Sequence, residues 1–268
     1  MKVIILSSSD FGTAAHHLPL LMEHKEIEIA AVIVSEGRIN KNARYYLRRL
    51  KKISKIGILG AMNGKKMRSW YRNDCAKYCH INDLSAYCIA NHIPYHRVPT
   101  TNSSETIEIF KSSGADLGLS LGNGFILPRV FSIPKYGMLN IHHELLPEYQ
   151  NAQSIIWELY NGSTITGYTI HKIEKTIDTG AIVYRESLPI IFRDTLADTV
   201  AFNYARLYDA SAIGLINVLL DFEKYYNTAE PQGKGTKYTT PSFFQFRKIE
   251  KMYKKLKSES LQKNIANQ

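Results

Sequence analysis

The feature that most constrains this chain is a recurrence of short apolar runs, each separated from the next by a stretch of helical character. Val3-Ile4-Ile5-Leu6, residues Ile27 to Val34 and residues Asp116 to Leu121 are dominated by Val, Ile, Leu and Ala. Nearly uninterrupted runs of this length read as strands covered on both faces, the condition of a parallel sheet. Gly137 to His142 reads as a further strand, and Ile93-Pro94-Tyr95-His96-Arg97-Val98 as a short one. Between them, Phe11 to Met22, Asp83 to His92 and Ser104 to Ser112 carry helical spacing, and the polar turn Ser7-Ser8-Ser9-Asp10 is placed to cap the first. Strands alternating with helices predict a doubly wound, mostly parallel α/β sheet, with ligands at the carboxyl ends of its strands near the switch in strand order.

Beyond His142 the pattern changes. Ser154 to Tyr160 reads as a helix closed by Asn161-Gly162. Thr164 to Ile173 and Ala181 to Ile190 alternate with a period of two around an Asp178-Thr179-Gly180 turn, which predicts an antiparallel pair. Leu196 to Phe222 has the pattern of a long helix. The expected organisation is therefore a domain over residues 1–222 and a short C-terminal module over 223–268, whose polar end SESLQKNIANQ is expected to fray.

At 44% hydrophobic and 22% charged residues, the 268-residue chain has the composition of a globular protein, which excludes wholesale disorder. No apolar run approaches the roughly 18 residues of a membrane span. The opening MKVIILSSSDFG reads as a first strand, not a signal peptide. Three cysteines (Cys75, Cys79, Cys88) are too few for a disulfide framework and lack a second cluster for zinc, so a reduced, cytoplasmic setting is expected.

The net charge of +10 is unevenly placed. Twelve Lys or Arg and no Asp or Glu lie between Arg38 and Arg72, and Arg247 to the end carries seven basic and two acidic residues. These two segments hold +17, so the rest of the chain is acidic at −7. Tyr46, Leu47, Leu50, Ile53 and Ile56 fall near i, i+3/i+4 spacing, predicting an amphipathic helix with a basic outer face, interrupted by Gly57, Gly60 and Gly64 before a second short helix over Lys65 to Tyr71. A nucleic-acid contact, a phosphorylated small molecule, a peripheral membrane contact, a lid, a dimer arm and a solvated helix face all remain open for residues 38–72.

The chemistry-bearing residues lie further on. Asn140 and His142 stand two apart at a strand end, so both side chains point to one face, and Asp178 follows 36 residues after His142. An amide donor, an imidazole and a carboxylate meeting at a sheet end make a set suited to acyl transfer. The segment SLGNGFILP, residues 120–128, reads on its own as a strand-to-helix turn made of Gly122, Asn123 and Gly124.

The run Asn140-Ile141-His142-His143-Glu144-Leu145-Leu146-Pro147, with Asp178-Thr179-Gly180 downstream, resembles the Asn-x-His-x-Ser-Leu-Leu-Pro and Asp-x-Gly signature of N10-formyltetrahydrofolate-dependent formyltransferases. The element order matches over roughly residues 1 to 222. The resemblance implies a Rossmann-like fold and transfer of a formyl group from N10-formyltetrahydrofolate to a primary amine, without metal or a Cys or Ser nucleophile. It casts Asn140 as an oxyanion donor. His142 becomes the proton acceptor or, when protonated, an oxyanion support, and Asp178 the group that orients His142 or a bridging water. It also assigns Gly124, Phe125, Ile126 and Leu127, with Thr176 and Ile177, to the folate's pterin. Two departures stand out: Glu144 in place of the usual Ser, and Gln150-Asn151 where many members have Arg-Gly.

Among the family's acceptors, a nucleoside-diphosphate-linked amino sugar fits best, because sugar-nucleotide formyltransferases resemble this chain in size and in a C-terminal Gly…Tyr segment, here Gly233-Lys234-Gly235-Thr236-Lys237-Tyr238. Lys234 and Lys237 are then expected on the diphosphate, Trp157, Tyr238 or Phe243 on the base, and Asp10 on the sugar's hydroxyls or amine. The implied setting is precursor synthesis for lipopolysaccharide or another glycan, by a cytoplasmic homodimer with no nucleic-acid partner and no stable membrane insertion. A methionyl-tRNA acceptor would draw on the basic segment, but such members carry a C-terminal β-barrel larger than the 46 residues after Phe222. A phosphoribosyl amine acceptor, and an inactive binding module built on the same fold, stay open.

Overall fold

The computed structural model describes residues 1–37 and 43–266, so residues 38–42 of the basic segment and the last two of the chain lie outside the described residues. Seven strands form one sheet: β1 (Lys2–Ser7), β2 (Glu28–Ser35), β3 (Tyr95–Val98), β4 (Leu117–Ser120), β5 (Met138–His142), β6 (Ile165–Lys172) and β7 (Ile182–Pro189), in the order β3-β2-β1-β4-β5-β6-β7. The first five run parallel; β6 and β7 join antiparallel. Strand order reverses between β1 and β4, so the crevice expected of a doubly wound sheet opens at their carboxyl ends.

Both faces of the sheet are covered, as the apolar runs require. Val3 and Ile5 of β1 join one core cluster, while Ile4 and Leu6 between them join another. The first face is overlaid by α1 (Thr13–Met22), α3 (Leu84–Ala90), α6 (Ile156–Tyr160) and α7 (Leu196–Leu220), with α8 (Phe222–Asn227) following; the second by α4 (Ser104–Ser113) and α5 (Pro128–Phe131).

Three expectations differ in the structure. The Ser7–Asp10 turn does not cap α1: Gly12 is its N-cap, with no side chain bonded to the first turn. Ser9 instead accepts from the Phe11 N–H at 3.1 Å, and Asp10 is drawn to β3 by the Tyr95 hydroxyl and the Arg97 guanidinium, each at 2.5 Å. The helix of the basic segment, α2 (Ala43–Ser69), is interrupted at Gly57 as expected, with φ 76° and ψ 165°, but it resumes at once rather than near Lys65, takes in Gly60 and Gly64, and continues into a π-helical turn over Trp70–Asp74. Positive φ suits glycine there because it has no Cβ to clash. The tail expected to fray is instead helical, α9 (Phe243–Ala266). Phe246, Ile249, Tyr253 and Leu256 recur at three- and four-residue steps and are all buried, so this helix gains from packing what its many lysines would not supply alone.

Candidate active site

Asn140 and His142 occupy the end of β5, and the antiparallel register sets Asn140 directly opposite His171 of β6. The His171 Nδ1–H donates to the Lys172 carbonyl at 2.9 Å, which leaves Nε2 to accept the Asn140 Nδ2–H at 3.1 Å. Burial, reinforced by His142, pushes His171 down to about 4, so it is the neutral acceptor this bond needs. The Asn140 amide is thereby fixed in orientation, with its second N–H remaining for a ligand.

His142 is gripped on its far side. Its Nε2–H lies 2.8 Å from the Tyr149 carbonyl and 2.9 Å from a Glu144 carboxylate oxygen, and its Nδ1 faces Asp178 at 3.8 Å. Burial opposes a charge on this ring, but the Glu144 carboxylate overrides it, and with help from Asp178 raises His142 to about 9. His142 is therefore an imidazolium across the neutral range. The ring's orientation comes from Tyr149 and Glu144; Asp178, expected to orient it, stands at ion-pair rather than hydrogen-bond distance.

Asp178 is held by the Asn151 N–H at 2.9 Å and also lies 3.8 Å from His171 Nε2. Its turn demands the glycine two residues on: a Cβ at Gly180 would sit 1.8 Å from the Lys172 carbonyl oxygen. The Gln150-Asn151 pair has its own support. The Gln150 N–H donates to Thr236 O and the Gln150 carbonyl accepts from the Tyr238 N–H, each at 2.9 Å, and the Asn151 side-chain amide donates to Tyr238 O at 3.0 Å. The C-terminal segment thus buttresses the loop that holds Asp178.

Asn140, His142 and Asp178 line one cleft of about 250 Å³, together with Gly124, Phe125, Ile126, Thr176 and Ile177. Leu127 is not among its lining residues; it is the N-cap residue of α5 and donates its N–H to Asn102 at 2.7 Å. Asn102 also donates to the Phe125 carbonyl, so one side chain braces this loop from both sides. A second cavity of about 610 Å³ adjoins the first at Gly122, over the ends of β1 and β4. Its lining includes Gly12 and Thr13 at the uncapped start of α1, with Tyr71, Arg72, Asn73 and His80, and none of its described lining residues is acidic.

The remaining expected ligands lie elsewhere. Asp10 lines neither cavity, its carboxylate being committed to Tyr95 and Arg97. Lys234 and Lys237 are exposed and line neither; Lys237 borders a separate surface depression beside Trp157. The Tyr238 ring packs on Trp157 with centroids 4.6 Å apart and stacks on Tyr149 at 5.6 Å, so it anchors its own segment. Among the described residues no group of three or more His, Cys, Asp or Glu side chains is arranged to hold a metal ion.

His171, Tyr149 and Asn102 had no signal in the sequence, because each acts through a register or a backbone group, and Asn151 stood out only as a departure from the family pattern. Glu144 did have one, a carboxylate in an otherwise apolar His-x-Leu-Leu-Pro loop, but its contact with His142 was not readable.

A family model described as Formyl transferase matches residues 1–219. The methionyl-tRNA formyltransferase of Endomicrobium trichonymphae is 37% identical over 112 residues, 41% of this chain and 36% of that protein. Matches to such curated relatives span from 26% to 54% of their length. Among solved structures, a sugar N-formyltransferase from Shewanella sp FDAARGOS_354 superposes with a TM-score of 0.57 at 15% identity, over 94% of this chain and 87% of that one. The N-formyltransferase from Helicobacter canadensis, in complex with folinic acid and dTDP-3-aminofucose, gives 0.54 at 18% identity, over 94% and 80%. These neighbours share the fold. With the family model running from the first strand to the end of the long helix α7, this chain belongs to the formyl transferase family.

Proposed function

We propose that this protein transfers a formyl group from N10-formyltetrahydrofolate to the primary amine of a nucleoside-diphosphate-linked amino sugar. The observation that carries the transfer is that Asn140, His142 and Asp178 line one cleft together with Gly124, Phe125, Ile126, Thr176 and Ile177. In this reading the amine nitrogen bonds to the formyl carbon, the bond from that carbon to N10 breaks, and the amine proton ends on N10. The free Asn140 N–H and the Nδ1–H of the His142 imidazolium supply the oxyanion's donors, both in place before substrate arrives. Because His142 is already protonated, the proton leaving the attacking amine goes first to the Asp178 carboxylate or a water beside it.

The acceptor reading rests on the second cavity. An uncapped helix start, with Arg72 and His80 and no carboxylate in the described lining, suits phosphate groups. Tyr71, Tyr204 and Tyr208 offer aromatic surface beside them. This moves the diphosphate away from Lys234 and Lys237. A methionyl-tRNA acceptor is the second reading, favoured by the curated sequence relatives. The test offers N10-formyltetrahydrofolate with a panel of UDP-, dTDP- and GDP-linked amino sugars, a phosphoribosyl amine and methionyl-tRNA, with formamide detected by mass. Formylation of a nucleotide sugar is the expected result; formylation of the tRNA alone overturns the sugar assignment.

A further inference from the structure

We infer that the first half of α2, residues 43–56, is an interfacial helix that docks this protein on an anionic lipid bilayer. At 100° per residue, Tyr46, Leu47, Leu50 and Ile53 fall in one sector of about 120°, and Arg49, Lys51, Lys52 and Lys55 fall outside it. In a helix that belonged to the core the apolar sector would be covered. Here all four of its residues are exposed, Leu50 by 62%. The break at Gly57 separates this half from the second, which is fastened to the body by buried Gly60, Met67 and Trp70. That second half presents Ile58, 73% exposed, and Met62, 62% exposed, on the side away from its buried stripe.

Charge selects the occupant. The sequence from Arg38 to Arg72 has twelve basic and no acidic residues, and the adjoining α9 adds Lys251 and Lys254. A second copy docking through this same helix would cover the aliphatic sector only by pressing like charges together. A nucleic acid would satisfy the lysines but leave Leu47, Leu50, Ile58 and Met62 in water. The boundary of an anionic bilayer takes both, aliphatic groups into the acyl region and cations among the headgroups. The acidic remainder of the chain, at −7, is repelled from the same surface, which fixes the face presented. Among the described residues no helix is long and apolar enough to cross a membrane, so the attachment lies on the surface.

Co-sedimentation of the full chain with vesicles of phosphatidylcholine plus phosphatidylglycerol, against pure phosphatidylcholine, tests this. Binding to the anionic vesicles alone is expected, weakening as salt rises. Leu47→Glu/Leu50→Glu is expected to abolish it with an unchanged melting temperature, since both positions are exposed. Lys51→Gln/Lys52→Gln is expected to weaken it about fivefold per charge, roughly 25-fold in all. Equal binding to both vesicle types, or full binding by the Leu variant, overturns the inference. So does capture of RNA with indifference to vesicles, or self-association that the Leu variant abolishes without any sedimentation.

Discussion

His142 and His143 are consecutive, yet the end of β5 sends one ring toward the cleft and the next into the core behind it. His142 meets Glu144 and Asp178 and is raised to about 9. His143 meets the Ser211 hydroxyl at 3.2 Å and the rings of Tyr204 and Tyr208, with His16 and His17 nearby, and is pushed by burial and then by His142 down to about 3. Two identical side chains one peptide apart are thus held in opposite protonation states at neutral pH. The difference shows that charge here is a property of the neighbours, and that the cleft has been supplied with a cation by carboxylates while the core has been kept free of one.

The sharpest way to break this contrast is to delete the cleft side. His142→Ala is expected to lower kcat for formyl transfer by roughly 10²–10⁴, with little change in KM. Asn140→Ala follows at roughly 10²–10³, the usual cost of one oxyanion donor. Steady-state kinetics checks both, and a variant that keeps its rate removes that residue from the mechanism.

Glu144→Gln sharpens it next. If imidazolium is the working form, kcat/KM of the native protein holds until about pH 9 and falls above it. Without the Glu144 charge that alkaline limb moves to lower pH; a limb that stays put means another group sets it.

Stability against pH separates the two regions at smaller cost. His143 and His171 are depressed in the fold, so their contribution is complete above the ordinary histidine pKa near 6.5 and is lost as pH falls toward about 4 and then 3. His142 is raised, so its contribution is complete below 6.5 and is lost as pH rises toward about 9. Glu158, raised by burial and Glu144 to about 8, likewise withdraws stability as pH rises from the carboxylate range. Urea midpoints across pH should peak between the two flanks, and Glu158→Gln should flatten the alkaline one. The smallest effect expected is Ser211→Ala, about 1 kcal/mol from leaving the His17 and His143 nitrogens without their shared hydroxyl, read as a shifted midpoint with kcat unaltered.

Much of the fold was legible because burial on both faces imposes a composition. The apolar runs of β1, β2 and β4 could not have been anything but covered strands, and the period of two on either side of Asp178 marked the β6–β7 pair. That Asn140, His142 and Asp178 would share one cleft was legible through the motif. Placement of the acceptor's ligands was not. Asp10 looked free on a polar turn, but β3 brings Arg97 and Tyr95 to it. Lys234 and Lys237 looked like phosphate ligands, yet their segment pairs with Gln150 and leaves them on the surface. α9 was hidden because its buried stripe is diluted by seven basic residues from Arg247 onward, a pattern that pays for itself only against a partner surface.

By itself, the sequence determined the covered sheet, the order of its elements and the identity of the groups at the end of β5, since hydrophobic period and strand alternation are local properties of the chain. Only the tertiary structure decided what those groups are: that Asn140 is aimed by His171 across an antiparallel register, that His142 carries a proton because Glu144 folds back onto it, and that the ring beside it does not. Such states depend on which charges and dipoles end up a few ångströms apart, and long-range folding sets those distances.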